Sequence, residues 1–384
     1  MKVAIVHDWM TLKGGGESCV EQLMDIYPQA DLFCVVDFLP EAERGWLQGR
    51  SVTTSFIQRL PGSRKHYRSY LALMPIAVEQ FDVTGYDLVI STNSAVAKGV
   101  ITGPDQVHIA YTFSPIRYAW DLQETYLRES GITRGLKNIL ARSILHYLRI
   151  WDVRTASGVD HFVAISGFIG RRIRKAYGRT STIIYPPVNL DRFTVAPGRG
   201  DFYVTMSRMV PYKRIPLIVE AFRSMPDRHL IVIGDGPDMA AARKLAGPNV
   251  TLMGKQPDPV VVDHLQRAKA FIFAAEEDFG IAPLEAQACG TPVIAYAKGA
   301  ATETIRGLDA DEARGGQTGV FFREQTAEAI VAAVEHLETR LPVITPEACR
   351  ANAERFSTAR FRDEIVRFVG TAMADHARDV AALR

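Results

Sequence analysis

Cysteine is scarce. The chain has four in 384 residues, Cys19, Cys34, Cys289 and Cys349. None forms a C-x-x-C pair and none sits at metal-ligand spacing from a histidine, so neither a disulfide scaffold nor a zinc module is expected, and the thiols read as free and buried in a reducing compartment. Long apolar runs are missing too. No stretch approaches ~18 consecutive apolar residues, so no membrane span is expected. Charge of one sign is absent: 45 Lys and Arg against 43 Asp and Glu leave +2, which supplies no bulk field for nucleic acid. There is no low-complexity tract and no usable internal repeat. The opening residues, MKVAIVHDWM, hold too short an apolar part for a signal peptide and read as a first strand. A cytoplasmic protein is expected, with attachment to a membrane surface left open.

What is present is an α/β pattern. KVAIVHD, DLFCVV, DLVIST, VHIAYT and HFVAIS are strand candidates in the first half; FYVTMSR, HLIVIGDG, VTLMG, AFIFAA and TPVIAY are their counterparts in the second. Short, nearly continuous apolar runs joined by helical segments predict parallel sheets covered on both faces. The length suits two such domains better than one core. IIYPPVNLDRFTVAPGRGD, residues 183–201, carries three prolines and two glycines without amphipathic period and marks the boundary. The expectation is an N-terminal domain over 1–186, a C-terminal domain over 187–360, and a closing helix over 361–384 that returns to the first domain. Two doubly wound, Rossmann-like domains would face each other across a cleft, with ligands beyond the carboxyl ends of the strands.

Several loops at such ends carry chemistry. In MSRMVPYKRIPLIVEAF, residues 206–222, Arg208, Lys213 and Arg214 sit between a strand and a helix N-terminus. The arrangement suits a diphosphate, and equally describes a solvated basic loop. Gly234 and Gly236 in IVIGDGPD allow a ligand close to the backbone, or merely a tight turn. GGGES, residues 14–18, follows the first strand and opens a helix whose amides could hold a phosphate or a sugar oxygen. It fits neither G-x-G-x-x-G nor a P-loop. In EEDFGIAPLEAQACGTPVIAY, Glu277 and Glu285 lie eight residues apart, ~2.2 helical turns, so both would fall on nearly one face, Glu285 about two turns into the helix. Residues 279–281 would supply its first free amides. One carboxylate could hold sugar hydroxyls and the other a ribose diol; an acidic helix start with a surface glutamate is the plain alternative.

Taken together and in order, SRMVPYKR, GDGPD, FIFAAEEDFGIAPLEAQACGTPVIAY and KGAATETI resemble the loops of the retaining glycosyltransferases of family 4, which have the GT-B fold. YTFSPIRYAWD and YPPVNLDRF are similar to the WbaZ-like or GumH-like mannosyltransferase group. The resemblance spans nearly the whole chain; its E-x7-E block is specific and its glycine loops are not. It implies that Arg208 and Lys213 contact the nucleotide diphosphate. Glu277 and the amides of Phe279, Gly280 and Ile281 would hold the donor sugar and phosphate, and Glu285 the ribose. Gly234, Asp235 and the loop near Lys255 would lie by the base, with Gly15 and Gly16 facing the phosphates from the other domain. Arg117, Tyr118, Trp120 and Asp121 would line the acceptor side. One departure stands out: the family usually has a histidine near the donor sugar where this chain has Phe113, and His108 sits five residues too early to replace it.

The implied reaction moves a hexose, with GDP-mannose the favoured donor, to a polyprenyl-diphosphate-linked glycan in polysaccharide biosynthesis. Cations and helix amides would stabilise charge growing on the departing diphosphate. A leaving phosphate oxygen could take the acceptor proton on the same face. No metal or other cofactor is expected, because the single D-x-D, Asp309 to Asp311, follows no strand. Two basic stretches, 61–81 with Arg64, Lys65, His66 and Arg68 among Tyr67 and Tyr70, and 134–154, could each lie on anionic lipid or be helices that turn a basic face to water. A nucleotide-sugar-binding protein with little turnover and a nucleotide-sugar epimerase are the competing readings. No nucleic-acid module is present.

Overall fold

The computed structural model describes residues 1–308 and 316–382. Asp309 and Asp311, the D-x-D, lie outside the described residues. The chain divides into two compact units: Met1–Pro186 together with the residues from Phe361 on, and Pro187–Arg360.

The first unit is built on a seven-stranded sheet. Its strands are β1 (Val3–Met10), β2 (Asp31–Asp37), β3 (Val52–Thr54), β4 (Leu88–Asn93), β5 (Val107–Thr112), β6 (His161–Ala164) and β7 (Thr182–Ile183). All pair in parallel, in the order β3-β2-β1-β4-β5-β6-β7. The central strands β4 and β5 are buried at every residue and so show no alternation of burial; their polar residues pair inside, as Ser91 does with His108 at 2.8 Å. The core on one face gathers Val6, Val35, Val89, Val96, Leu148 and Trp151. Phe361 packs edge-on against Tyr111, and Arg362 binds Gln22 and Asp25, so the far part of the Thr358–Ala382 helix belongs to this unit.

The second unit is built on six parallel strands: β8 (Phe202–Met206), β9 (His229–Ile233), β10 (Val250–Gly254), β11 (Ala270–Phe273), β12 (Val293–Tyr296) and β13 (Gly319–Phe322). Their order is β10-β9-β8-β11-β12-β13. In both sheets the direction of winding reverses beside the first strand, between β1 and β4 and between β8 and β11. Such reversals open a crevice outside the carboxyl ends of the two strands, where α/β proteins place ligands. The α/β class with two doubly wound sheets is therefore the observed one.

The two basic stretches fold differently. Residues 61–81 do not form one amphipathic helix: the short Ser63–His66 turn runs into a tight 3-10 segment, Tyr67–Leu73, kinked at Tyr70, and then into Met74–Glu79. The second stretch is one helix, Gly135–Thr155. Leu145, Leu148, Trp151 and Thr155 are buried on one side. On the other, Leu136, Ile139, Leu140, Tyr147, Ile150 and Val153 are exposed, Leu136 by 85%.

Candidate active site

The strongest concentration of chemistry lies at the reversal in the second sheet. β8 and β11 are adjacent, with Tyr203 beside Ala270 and Val204 beside Phe271. After β8 the chain passes Arg208, makes a 3-10 turn over Pro211–Lys213, and enters the Ile215–Arg223 helix through Arg214 at φ +58°. After β11 it runs through Glu277 into the Ile281–Ala288 helix. The two exits meet: Lys213 Nζ donates to Glu277 Oε1. Both side chains are mostly shielded from water, which strengthens the attraction. Arg208 is exposed, and among the described residues its guanidinium makes no hydrogen bond. Glu277 is also fixed through its backbone, since its carbonyl accepts from Ala300 N at 2.9 Å. That approach requires Gly299, at φ +69°, because a Cβ there would stand 2.4 Å from the Glu277 oxygen.

The E-x7-E spacing works differently from the helical reading. Gly280, at φ +86°, caps the helix, which begins only at Ile281. Glu277 is therefore in a loop, and Glu285 is one turn into the helix rather than two, so the two acids share no helical face. Phe279 lies before the cap, with its ring buried edge-on against Phe356. Pro283 has no N–H, so Ile281 and Ala282 are the first-turn residues whose amides remain free to donate.

Glu285 is no surface glutamate. Its side chain is 12% exposed and accepts from Arg192 Nη2 at 2.7 Å. Burial raises its pKa, and the Arg192 charge pulls the other way. Arg192 also binds Asp258 Oδ2 through Nη1. Sequence reasoning missed this arginine because it stands in an aperiodic linker, far in sequence from both partners.

The glycines of the GDG loop answer to protein backbone. Gly234 has φ +130°, and a Cβ there would lie 1.8 Å from the Ser207 carbonyl oxygen. Gly236 is pressed in the same way against Met209, whose N–H donates to Asp235 O at 2.8 Å. These glycines dock the β9 exit onto the β8 exit and so set the path of the Arg208 loop. Lys255 follows β10 and is exposed, three residues before Asp258.

In the first unit, Gly15 begins the Gly15–Ile26 helix, with Glu17 Oε2 accepting from Gly14 N at 2.9 Å. Gly16 lies against the Phe113 ring and the His7 ring, at contact distances of 3.6 and 3.7 Å for a Cβ built there. At this sheet's reversal Asp8 accepts from the backbone N–H groups of Ser94, Ala95, Val96 and Ala97 at 2.5–2.9 Å. That carboxylate joins the ends of β1 and β4. Of the residues expected on the acceptor side, Trp120 donates its indole N–H to Asp152 Oδ2 at 2.7 Å, and Asp152 is fully buried against Lys98. Asp121 pairs with Arg172 at 2.7 Å. Burial raises the pKa of Tyr118, and Arg117 stands on the same turn, between Ile116 and Ala119, which are both buried. Among the described residues, no three His, Cys, Asp or Glu side chains come together in a way that could hold a metal ion.

Residues 189–356 match the family described as "Glycosyl transferases group 1". A GDP-mannose-dependent alpha-(1-6)-phosphatidylinositol monomannoside mannosyltransferase of Mycobacterium tuberculosis is 26% identical over 316 residues, covering 70% of this chain and 81% of the relative. Among solved structures, sucrose-phosphate synthase from Thermosynechococcus elongatus superposes with a TM-score of 0.69 at 16% identity, over 98% of this chain and all of that one. Anabaena HepE in complex with UDP gives 0.68 at 17% identity, over 97% and 100%. The overall fold is that of the GT-B glycosyltransferases.

Proposed function

We propose, from the premise that residues 189–356 form a group 1 glycosyltransferase domain, that this enzyme transfers mannose from GDP-mannose to a lipid-linked glycan. In finer terms the reading is a retaining transfer of family 4 type, with a polyprenyl-diphosphate-linked acceptor in polysaccharide biosynthesis. The observation that carries it is the meeting of Lys213 and Glu277 at the reversal of the second sheet, with Arg208 unpaired nearby. A diphosphate entering there takes charge from Arg208 and Lys213, and the sugar hydroxyls donate to the Glu277 carboxylate that Lys213 releases. As the glycosidic bond breaks, charge accumulates on the diphosphate, where the cations and the Ile281 and Ala282 amides act more strongly than on the bound substrate. The departing phosphate oxygen takes the acceptor proton on the face it leaves, so the configuration is retained and no resident metal is required. GDP-mannose is favoured over other donors because the M. tuberculosis relative uses it.

The acceptor is lipid-linked because the Gly135–Thr155 helix is apolar on both sides. Its outer stripe, flanked by Arg134, Lys137, Arg142 and Arg154, suits an anionic bilayer, where each large apolar side chain fully buried would contribute ~1.5–3 kcal/mol. No described helix is long and apolar enough to cross a membrane. Association at the inner face of the cytoplasmic membrane follows as part of the proposal.

Labelled GDP-mannose and UDP-glucose, each offered with a polyprenyl-diphosphate-linked glycan and with EDTA, test the reading. Transfer of mannose in chelator with an α-linkage in the product supports it. Binding without transfer would make the chain a nucleotide-sugar-binding protein, and a changed sugar nucleotide without acceptor would make it an epimerase.

A further inference from the structure

Arg192 lies in the YPPVNLDRF segment, to which the resemblance assigned no role in the site. It stands in the segment that opens the second unit, with its guanidinium over the ring of Phe193 at 4.6 Å. Its two arms reach two elements at once: Asp258, the first residue of the Asp258–Arg267 helix just past Lys255, and Glu285 in the Ile281–Ala288 helix. The two acids differ in surroundings. Asp258 is well exposed, whereas Glu285 is nearly covered. A pair that served only to tie surface loops would have no need of a buried acid, since ionising a carboxylate away from water is costly.

The Glu285 carboxylate is held on one side only. Oε1 is engaged by Arg192 at 2.7 Å, while among the described residues nothing donates to Oε2. An ionised carboxylate with one oxygen clamped and the other open is an acceptor aimed at a neutral donor, and a vicinal diol is the fitting chemistry. We propose that Arg192 is a positioning residue for nucleotide binding: it holds and orients Glu285 so that the open oxygen accepts from the ribose hydroxyls of a nucleoside diphosphate. The inference rests on the donor-site reading above and adds to it the residue on which ribose recognition depends.

Charges around Glu285 agree with this role. Burial raises its pKa and exposed Asp258 raises it further; Arg192 alone of the facing groups lowers it. Cys289, the residue that closes the helix one turn past Glu285, is a thiol whose own pKa is pushed up to about 12, chiefly by burial and then by Glu285, and Arg350 from the Pro346–Glu354 helix acts on that thiol. Without Arg192 the contributions of burial and Asp258 act unopposed, so the carboxyl takes up its proton at a higher pH and becomes a poorer acceptor as pH falls.

The experiment measures the affinity of the full chain for GDP and for 2′,3′-dideoxy-GDP, with UDP and its dideoxy form as the second base, at pH 7 and pH 9. Wild type is expected to prefer the ribonucleotide by about 10-fold or more, the loss of one or two charge-assisted hydrogen bonds. Glu285→Gln and Arg192→Gln should each reduce that ratio to near 1 at pH 7, and the double variant should be no worse than Glu285→Gln. Arg192→Gln should regain part of the preference at pH 9, and Arg192→Lys should keep part of it at pH 7; a merely structural role would produce neither. Equal weakening of ribo- and dideoxy forms in Arg192→Gln, or an unchanged ratio, overturns the inference while leaving the donor site standing. Wild type binding neither GDP nor UDP overturns the donor-site reading itself, and equal wild-type affinity for both sugar forms removes the ribose contact on which Arg192 is said to act.

Discussion

Replacing His108 by asparagine should flatten the acid side of the first unit's stability profile. His108 is fully buried at the centre of the sheet. Its Nδ1 faces the Gly158 carbonyl at 3.2 Å, and its Nε2 faces the Ser91 hydroxyl at 2.8 Å. A carbonyl only accepts, so the ring proton is on Nδ1 and Nε2 accepts from Ser91. Burial holds its pKa down, from 6.5 to about 4, against the Gly158 hydrogen bond and the Asp160 charge. The unfolded chain takes up a proton near pH 6.5 and the folded chain only near pH 4. Between those values the unfolded state binds more protons, so stability is complete above pH 6.5 and falls as pH falls, levelling below about 4. At ~1.4 kcal/mol per tenfold the loss amounts to about 3 kcal/mol. All four tryptophans, Trp9, Trp46, Trp120 and Trp151, lie in the first unit, so urea titration followed by tryptophan fluorescence reads this unit. His108→Asn keeps an N–H for Gly158 and strands the Ser91 hydroxyl, which costs ~1–3 kcal/mol at neutral pH. The advantage of the wild type should then fall by about 3 kcal/mol on going from pH 7 to pH 4, so that it vanishes or changes sign. Parallel profiles would falsify the reasoning, because they would mean that the imidazole titrates alike in both states.

Three further outcomes follow from the same structure. Lys213→Ala should lower the rate of mannose transfer by roughly 100- to 1,000-fold, the usual effect of losing one charge-stabilising group at a transition state; full retained turnover in an initial-rate assay would remove Lys213 from the machinery. In the second unit, Glu338 is held down to about 2, chiefly by the hydrogen bonds from Arg228 and then Tyr203. Its stabilisation is present above pH 4.5 and lost as pH falls toward 2; since the side chain is partly exposed, the effect is discounted to ~1–2 kcal/mol. Hydrogen exchange in β8 for wild type and Glu338→Gln checks that window, and identical acid sensitivity in the two would count against it. On the first unit, changing Leu136, Ile139 and Leu140 together to serine should cut sedimentation with anionic liposomes by about 10-fold or more at low salt, since each side chain contributes ~1.5–3 kcal/mol when fully buried; undiminished binding would assign the contact elsewhere.

How much of this could be read in the sequence depended on the range of the interaction. VHIAYT and AFIFAA announce β5 and β11 because a strand buried on both faces is mostly apolar without regular alternation. The edge strands β3 and β7, three and two residues long, are too short to leave a pattern, and both are largely open to water. The misplacement of Glu285 had a local remedy: Gly280 followed by Pro283 marks a helix starting after the glycine, since glycine alone adopts φ +86° without strain and proline tolerates the first turn. Nothing local could have marked Arg192, whose partners lie 66 and 93 residues away. The 134–154 stretch posed a choice between a helix lying on anionic lipid and a core-facing helix with a basic face to water; its buried Leu145, Leu148 and Trp151 are core-facing, while the lipid reading rests with the liposome measurement.

The two acids of the E-x7-E block share a pattern that bears on which ligand can enter. Each is paired with a cation from a segment that precedes it in the chain, Glu277 with Lys213 and Glu285 with Arg192. Separating either pair without replacement strands a shielded charge, which costs several kcal/mol. A bare sugar offers hydroxyls to the acids and leaves the cations unserved. Pyrophosphate serves Lys213 and Arg208 and leaves Glu277 without a donor. A nucleoside diphosphate sugar supplies the anion and the hydroxyls in one molecule; on the proposed reading it would replace the broken Lys213–Glu277 pair on both sides while its ribose would take the open oxygen of Glu285. Measured by calorimetry, GDP-mannose should therefore bind more tightly than GDP, and GDP more tightly than pyrophosphate, with the first step lost in Glu277→Gln and the second in Glu285→Gln. Pyrophosphate binding as tightly as GDP-mannose would show that charge alone governs the site and that the paired acids have no part in recognition.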